Sequence, residues 1–452
     1  MTSTPDAELL ARVQAALDAR TPGRDELTAM VPDLARITDL ADLLGSPQKA
    51  YPSIHLTGTN GKTSTTRMVD ALLRAFGLRT GRYTSPHLSS VTERIAIDGQ
   101  PAAAEVFARA YDDVAPFLDI VDDRHPHRVT FFELLTAMAF SAFADAPVDV
   151  AVVEVGMGGT WDATNVVHAG TAVVMPVSLD HPELGGTVAE VATEKAGIIH
   201  EGAVAVLAAQ PIDAAGVLLR RAVEVGAEVA REGVEFGIAR RSIALGGQLV
   251  SFAGLGGSYD EVFLPLHGPH QASNAACALA AVESFLGGGR GTLDIDAVRE
   301  GFAAADSPGR LEVVRRSPTI LLDGAHNPAG VAALVAALSE AFTFDRLVGV
   351  VAVLRDKDVH AMLELLEPVL ESVVCTTNHS PRALSAEELA ARAIEVFGRD
   401  RVAVEPLLPD AIEAAVTLAD PGATAVAAAV LVTGSLYTVG EARTLLTPEP
   451  GR

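Results

Sequence analysis

Cysteine is nearly absent: the 452 residues hold two, Cys277 and Cys375. They are far apart and without metal-ligand spacing, so neither a disulfide framework nor a zinc site is indicated, and a reduced cytosol fits. Positive charge is thin as well. Lys and Arg number 34 against 58 Asp and Glu, a formal charge of -24, which argues against a nucleic-acid surface or an anionic-membrane surface. Long apolar runs are missing too. The longest, near Ala425 to Val432, falls far short of the roughly 18 residues of a membrane span, and acidic Asp6 and Glu8 stand where a signal peptide needs a basic start and an apolar stretch. A soluble, cytoplasmic protein is expected. No internal repeat or low-complexity tail is evident.

What is present is apolar residue in quantity, 49% of the chain, over a length too great for one hydrophobic core, so two or three domains are expected. Residues 1 to 45 read as helical, with Leu9, Leu10, Val13, Ala16 and Leu17 on one face and a turn at Thr21 to Gly23. Thereafter strands alternate with helices. Val148 to Gly156 and Thr171 to Met175 are β-branched runs of the kind that form central parallel strands, and the alternation implies a doubly wound α/β sheet. Residues 303–310 look like a connector. After it a fresh series begins with the strand Thr319 to Asp323, a helix from about Asn327 to Ala341 and the strand Leu347 to Leu354, so the boundary is placed between domains 1–305 and 306–452. Asp119 to Val129 reads as an exposed loop.

The residues with chemistry sit at strand ends. Thr57-Gly58-Thr59-Asn60-Gly61-Lys62-Thr63-Ser64 lies between an extended apolar run and a helical one, the sequence form of a phosphate cradle. Gly58 and Gly61 let backbone N–H groups approach phosphate oxygens, Lys62 supplies charge, and Thr63 or Ser64 offers a hydroxyl to Mg²⁺. ATP is therefore expected, although the spacing departs from the usual motif: Leu56 stands six before the lysine, where glycine is common. Glu154 ends a strand and suits Mg²⁺, the alternative being a solvated strand end. Gly156-Met157-Gly158-Gly159 follows it directly. His181, after the next strand, is a metal ligand or a polar loop histidine. Lys195 by itself reads as an ordinary helical lysine. Asp323-Gly324-Ala325-His326-Asn327-Pro328 forms a second strand-to-helix turn, and Arg310 in the connector could neutralise phosphate or simply face solvent. Two such edges joined by a hinge predict closure around a shared substrate.

Taken together and in order, these motifs resemble the folylpolyglutamate synthases and dihydrofolate synthases of the Mur ligase superfamily. Tyr83 to Leu88 with Thr92-Glu93-Arg94, Thr130 to Glu133, Trp161 to Asn165, Glu194 to Ile198, His270-Gln271 with Asn274, Gly309 to Glu312 and Thr433 to Tyr437 join those already quoted, so the resemblance spans almost the whole chain. It implies a P-loop-type doubly wound N-terminal domain and a smaller Rossmann-like C-terminal domain. The activity implied is ATP-dependent addition of L-glutamate to dihydropteroate, to folylpolyglutamates, or to both, through an acyl phosphate; the bifunctional form is preferred. The cofactors implied are ATP and Mg²⁺, with a monovalent cation as a further candidate, and the partners are small molecules, with a monomeric enzyme expected.

The resemblance also assigns residues. Gly58, Thr59, Asn60, Gly61, Lys62, Thr63 and Ser64 with Asn274, Arg310 and Asp323 would hold ATP. Ser64, Glu154, His181 and a carbamylated Lys195 would hold Mg²⁺. Ser85, Pro86, His87, Glu133, Trp161, Asp162 and Ala163 would meet the pterin-bearing substrate, and His326 and Ser435 the incoming glutamate, with His326 as a candidate base beside Lys62 and Lys195 in the catalytic set. Three departures stand out: Thr63 where the family usually has glycine, Thr160 where arginine is common, and one residue fewer before Thr187. A cell-wall Mur ligase would need a further domain ahead of Gly58, and a P-loop switch would need no second site.

Overall fold

The computed structural model describes residues 5–21, 33–179, 182–420 and 427–447. The chain divides into two compact units, the first made of residues 1–241, 249–263 and 272–305, the second of 242–248, 264–271 and 306–452. Among the described residues no helix is long and apolar enough to cross a membrane.

In the first unit β1 (Ser53–Thr57), β2 (Thr80–Tyr83), β3 (Ile95–Ile97), β4 (Gln100–Pro101), β5 (Val150–Glu154), β6 (Thr171–Val174), β7 (Val204–Leu207) and β8 (Glu228–Arg231) form a sheet in the order β4-β3-β2-β5-β1-β6-β7-β8. The pairings β2–β5, β5–β1, β1–β6, β6–β7 and β7–β8 are parallel, while β3 and β4 close one edge antiparallel. β1 and β5 are buried along their whole length. That is the reason β5 reads as a nearly unbroken apolar run rather than an alternating one, since helices cover both faces of a parallel sheet; β1 buries Ser53, His55 and Thr57 as well.

Register sets where the loops emerge. Leu56 lies opposite Glu154 and Thr57 opposite Val174, so β5, β1 and β6 end nearly level and their following loops share one edge. The connection after β1 leaves toward β2 and that after β6 toward β7, on opposite sides, which makes this edge a topological switch point. The helix Phe131–Asp145 starts at Thr130, which caps it, with Glu133 reaching back in a capping box.

The expected loop at Asp119 to Val129 is in part helix. The helix Ala104–Arg124 continues through it, since Val114, Leu118 and Val121 keep one buried face at helical spacing while the acidic residues take the other. The three strands β9 (Gly237–Ala244), β10 (Gly247–Ala253) and β11 (Ser258–Leu264) form a separate sheet in the order β11-β10-β9.

The second unit carries β12 (Glu312–Arg316), β13 (Thr319–Asp323), β14 (Arg346–Val351), β15 (Ser372–Cys375), β16 (Val402–Val404) and β17 (Ala428–Thr433) in the order β12-β13-β17-β14-β15-β16, with only β12 antiparallel. Asp323 and Val351 both lie opposite Thr433. β14 stops short of the expected Leu354, where the backbone leaves the ladder.

Candidate active site

The phosphate loop is built by the end of β1 and the start of the helix Lys62–Ala75. Gly58 and Gly61 adopt φ of 148° and 88°, conformations that L side chains avoid. A Cβ at Gly58 would meet that of Met175 at 2.5 Å, and one at Gly61 would meet Asn274 Oδ1 at 2.6 Å, so crowding as well as dihedral angle demands glycine. The same crowding puts Asn274, from the helix Pro269–Gly287, against the loop. Lys62 Nζ donates to the Gly58 carbonyl at 2.8 Å and lies 3.4 Å from that of Thr59. Lys195 Nζ, almost fully buried, donates to the same Gly58 oxygen at 3.0 Å. Two ammonium groups therefore converge on one carbonyl at the base of the loop.

Glu154, 1% exposed, faces this loop from β5. Its carboxylate accepts from Thr63 Oγ1 at 2.8 Å and from the Ser85 N–H at 3.4 Å. A buried carboxylate beside a loop hydroxyl is an oxygen donor set of the kind Mg²⁺ takes together with nucleotide phosphates, so the residues fit that ion. Thr63 is the hydroxyl seen on Glu154; Ser64 is buried one residue further into the helix. His181 lies outside the described residues.

The segment after Glu154 is braced from below. Thr57 Oγ1 donates to the Gly158 carbonyl at 2.7 Å, and Gly156 leaves room for the Phe132 ring, which a Cβ would strike at 2.5 Å. Asp162 is buried, and burial holds its carboxyl above the usual range against several hydrogen bonds that pull it down. It accepts from Met157 N–H at 2.9 Å, Thr164 N–H at 3.0 Å and Thr164 Oγ1 at 2.5 Å. Thr164 in turn bonds His55 Nε2 at 2.8 Å, and His55, wholly buried in β1, is pushed down to about 3 by desolvation and by His200. The Asp162 carboxylate thus ties the segment after Glu154 to the strand beneath the phosphate loop, while Trp161 is partly exposed beside Gly158 and Ala163 is buried. Asn165 joins the Thr160 and Gly197 carbonyls at 3.1 and 3.3 Å, which anchors the end of the Lys195 helix.

The Ser85 to Leu88 loop stands beside Glu154. Glu93 accepts from the N–H groups of Leu88, Ser89 and Ser90, each at 2.9 Å, and His87 Nδ1 accepts from Arg94 Nε at 3.0 Å. Glu133, a candidate substrate contact, has its carboxylate on the buried Arg36 at 3.0 Å and on Thr130 N–H at 2.8 Å. It holds the helix entry and orders Phe131 and Phe132.

In the second unit, adjacency of β13 and β17 brings Asp323, His326 and Ser435 to one edge. Asp323 accepts from Leu311 N–H and Ala325 N–H, each at 2.9 Å; desolvation raises its pKa, with Arg310 opposing. Arg310 packs over Gly324, where a Cβ would sit 2.6 Å from Nη1. His326 Nδ1 lies 2.9 Å from the Gly324 carbonyl; a carbonyl only accepts, so Nδ1 carries a hydrogen. Ser435 caps the helix Leu436–Leu446, accepting from Tyr437 N–H at 3.2 Å.

A nucleotide-type loop in one α/β unit followed by a second α/β unit with its own edge site defines a class of ATP-dependent ligase, and the comparisons with known proteins name it. The model of the Mur ligase middle domain matches residues 56–282, and that of the Mur ligase, glutamate ligase domain matches 309–436. The chain is 51% identical to the dihydrofolate synthase/folylpolyglutamate synthase of Mycobacterium tuberculosis over 99% of its own length and 96% of that protein. It is 35% identical to the folylpolyglutamate synthase of Lacticaseibacillus casei over 78% of this chain and 83% of that one. The crystal structure of Mycobacterium tuberculosis folylpolyglutamate synthase complexed with ADP and AMPPCP superposes with a TM-score of 0.92, covering 98% of this chain and 100% of that one at 51% identity. The chain belongs to the folylpolyglutamate and dihydrofolate synthases of the Mur ligase family, ATP-dependent ligases that form an amide bond.

Proposed function

We propose that this chain joins L-glutamate to dihydropteroate and also extends the glutamate tail of folates. The observation that carries the reading is the 51% identity, over 99% of the chain, to a relative named for both activities. A carboxylate oxygen of the acid substrate attacks the γ-phosphorus of ATP, the bond to the β-phosphate oxygen breaks and ADP leaves. The glutamate nitrogen then attacks the acyl carbon, phosphate departs, and the nitrogen loses a proton. Lys62 and the loop N–H groups hold the nucleotide phosphates, Lys62 and Arg310 stabilise charge on the transferring group, and Asn274 and Asp323 contact the nucleotide. Mg²⁺, held by Glu154, a hydroxyl of Thr63 or Ser64, and His181, would supply charge neutralisation at the phosphates. A carbamate on Lys195 would replace one of the two amine groups on the Gly58 carbonyl with an anion able to ligate the metal. His326 Nε2 is the base toward the glutamate amine, and Ser435, after the neighbouring strand β17, orients its carboxylate.

The test is glutamate-dependent ADP release with dihydropteroate and with tetrahydrofolate offered separately. Release with both is expected, and Lys62→Ala is expected to lower it at least about a hundredfold. Release with tetrahydrofolate alone would reduce the reading to tail extension. ADP release independent of glutamate would sink it.

A further inference from the structure

One side chain on the acid-substrate side has its proton position fixed by a neighbour. Arg94 Nε donates to His87 Nδ1 at 3.0 Å. A guanidinium N–H can only donate, so Nδ1 is an acceptor and the neutral imidazole carries its hydrogen on Nε2. Burial, with the Arg94 charge behind it, lowers His87 to about 4, so the ring is neutral near pH 7. Arg94 is itself pinned: its guanidinium carbon lies 5.2 Å from the centroid of the Phe131 ring, a cation–π stack. Phe131 opens the helix whose entry Thr130 and Glu133 hold. The other end of the His87 loop bonds Glu154 through Ser85 N–H, next to the phosphate loop. His87 remains partly exposed, and among the described residues Nδ1 is the nitrogen that the protein engages.

We propose that Arg94 is a positioning residue that sets His87 as an obligate hydrogen-bond donor, through Nε2–H, to an acceptor oxygen of the pterin-bearing acid. The identity of that acid rests on the ligase reading above. The arrangement confers specificity of one sign. An acid that presents a donor to His87 meets a second donor, leaves both unpaired, and binds less well.

The test joins a measurement on the resting protein to one on turnover. In the full chain labelled with ¹⁵N-histidine, nuclear magnetic resonance should find His87 as the Nε2–H tautomer, and Arg94→Met should convert it to a mixture of tautomers. In steady state His87→Gln, whose amide N–H reaches near the position of Nε2–H, should keep the KM for the acid within about threefold. His87→Phe should raise it about tenfold, or about 1.4 kcal/mol, with the KM values for ATP and glutamate unchanged. Arg94→Met, which leaves part of the population as the Nε2–H tautomer, should raise the acid KM about twofold, and adding it to His87→Phe should raise the KM no further than His87→Phe alone. An Nδ1–H tautomer in the unaltered protein, an unchanged acid KM in His87→Phe, or additive effects in the double variant would overturn the proposal. Failure of the unaltered chain to release ADP with either acid refutes the ligase reading instead, and the tautomer measurement still decides what Arg94 does to His87.

Discussion

Gly61 shows how little freedom a single residue has at this site. Its φ of 88° and the approach of Asn274 Oδ1 to within 2.6 Å of where a Cβ would stand are separate constraints, one on the backbone and one on the space above it. Gly61→Ala incurs about 1–2 kcal/mol of left-handed backbone strain and must also displace Asn274. Part of that cost is relieved if the loop opens, which spoils the row of N–H groups aimed at phosphate. The KM for ATP should rise at least about tenfold in the steady state while the KM for glutamate holds. An ATP KM within a factor of about two of the unaltered protein would mean that the loop does not contact the nucleotide as assigned. Alanine at Gly45, also left-handed but with open space around it, is the control for strain alone.

At the scale of elements, a capping box decides how the helix Phe131–Asp145 enters the sheet edge. Thr130 Oγ1 accepts from Glu133 N–H at 3.3 Å, and Glu133 returns to Thr130 N–H at 2.8 Å while also holding Arg36. Thr130→Ala removes the first of these and should cost about 1 kcal/mol, a fall in Tm of about 2–4 °C for a unit of this size, read by calorimetry. Because Phe132 fills the space at Gly156 and Phe131 backs Arg94, the acid KM should rise with it; no change in Tm would show that the Thr130 hydroxyl does not hold the entry. The phosphate loop, Glu154 and the Asp323 turn were legible in the sequence because each is local: a strand, its end, and the glycine or proline that follows. The capture of Glu133 by Arg36 was not, since the partners lie 97 residues apart and meet only through the packing of two helices. Likewise nothing local says that Met175 lies under Gly58 or that Asp162 spends its carboxylate on Met157 and Thr164. Those contacts follow from β1, β5 and β6 ending level. The return of residues 242–248 and 264–271 to the second unit follows from three-dimensional packing that no composition shift marks.

Across the whole molecule, the buried histidines tie stability to pH in one direction. His55 titrates near 3 when folded against an ordinary value of 6.5, because desolvation and then His200 disfavour its cation. His270, in the second unit, is lowered to about 4 by desolvation and then Arg310. For such groups the unfolded chain binds more protons than the folded one between the two pKa values, so unfolding free energy rises with pH up to about 6.5 and falls as pH drops below it. At pH 5, His55 alone removes about 2 kcal/mol relative to pH 7.5, and His270 acts in the same sense. The Tm should therefore decline steadily from pH 6.5 to 5. A variant with His55→Gln is expected to lose stability near neutrality, where the bond to Thr164 is altered, yet to show a shallower decline, by about 1.6 kcal/mol between pH 6.5 and 5. If the slopes of the variant and the unaltered protein coincide between pH 6.5 and 5, His55 is not the buried neutral imidazole that its place in β1 requires, and the acid sensitivity belongs to other groups.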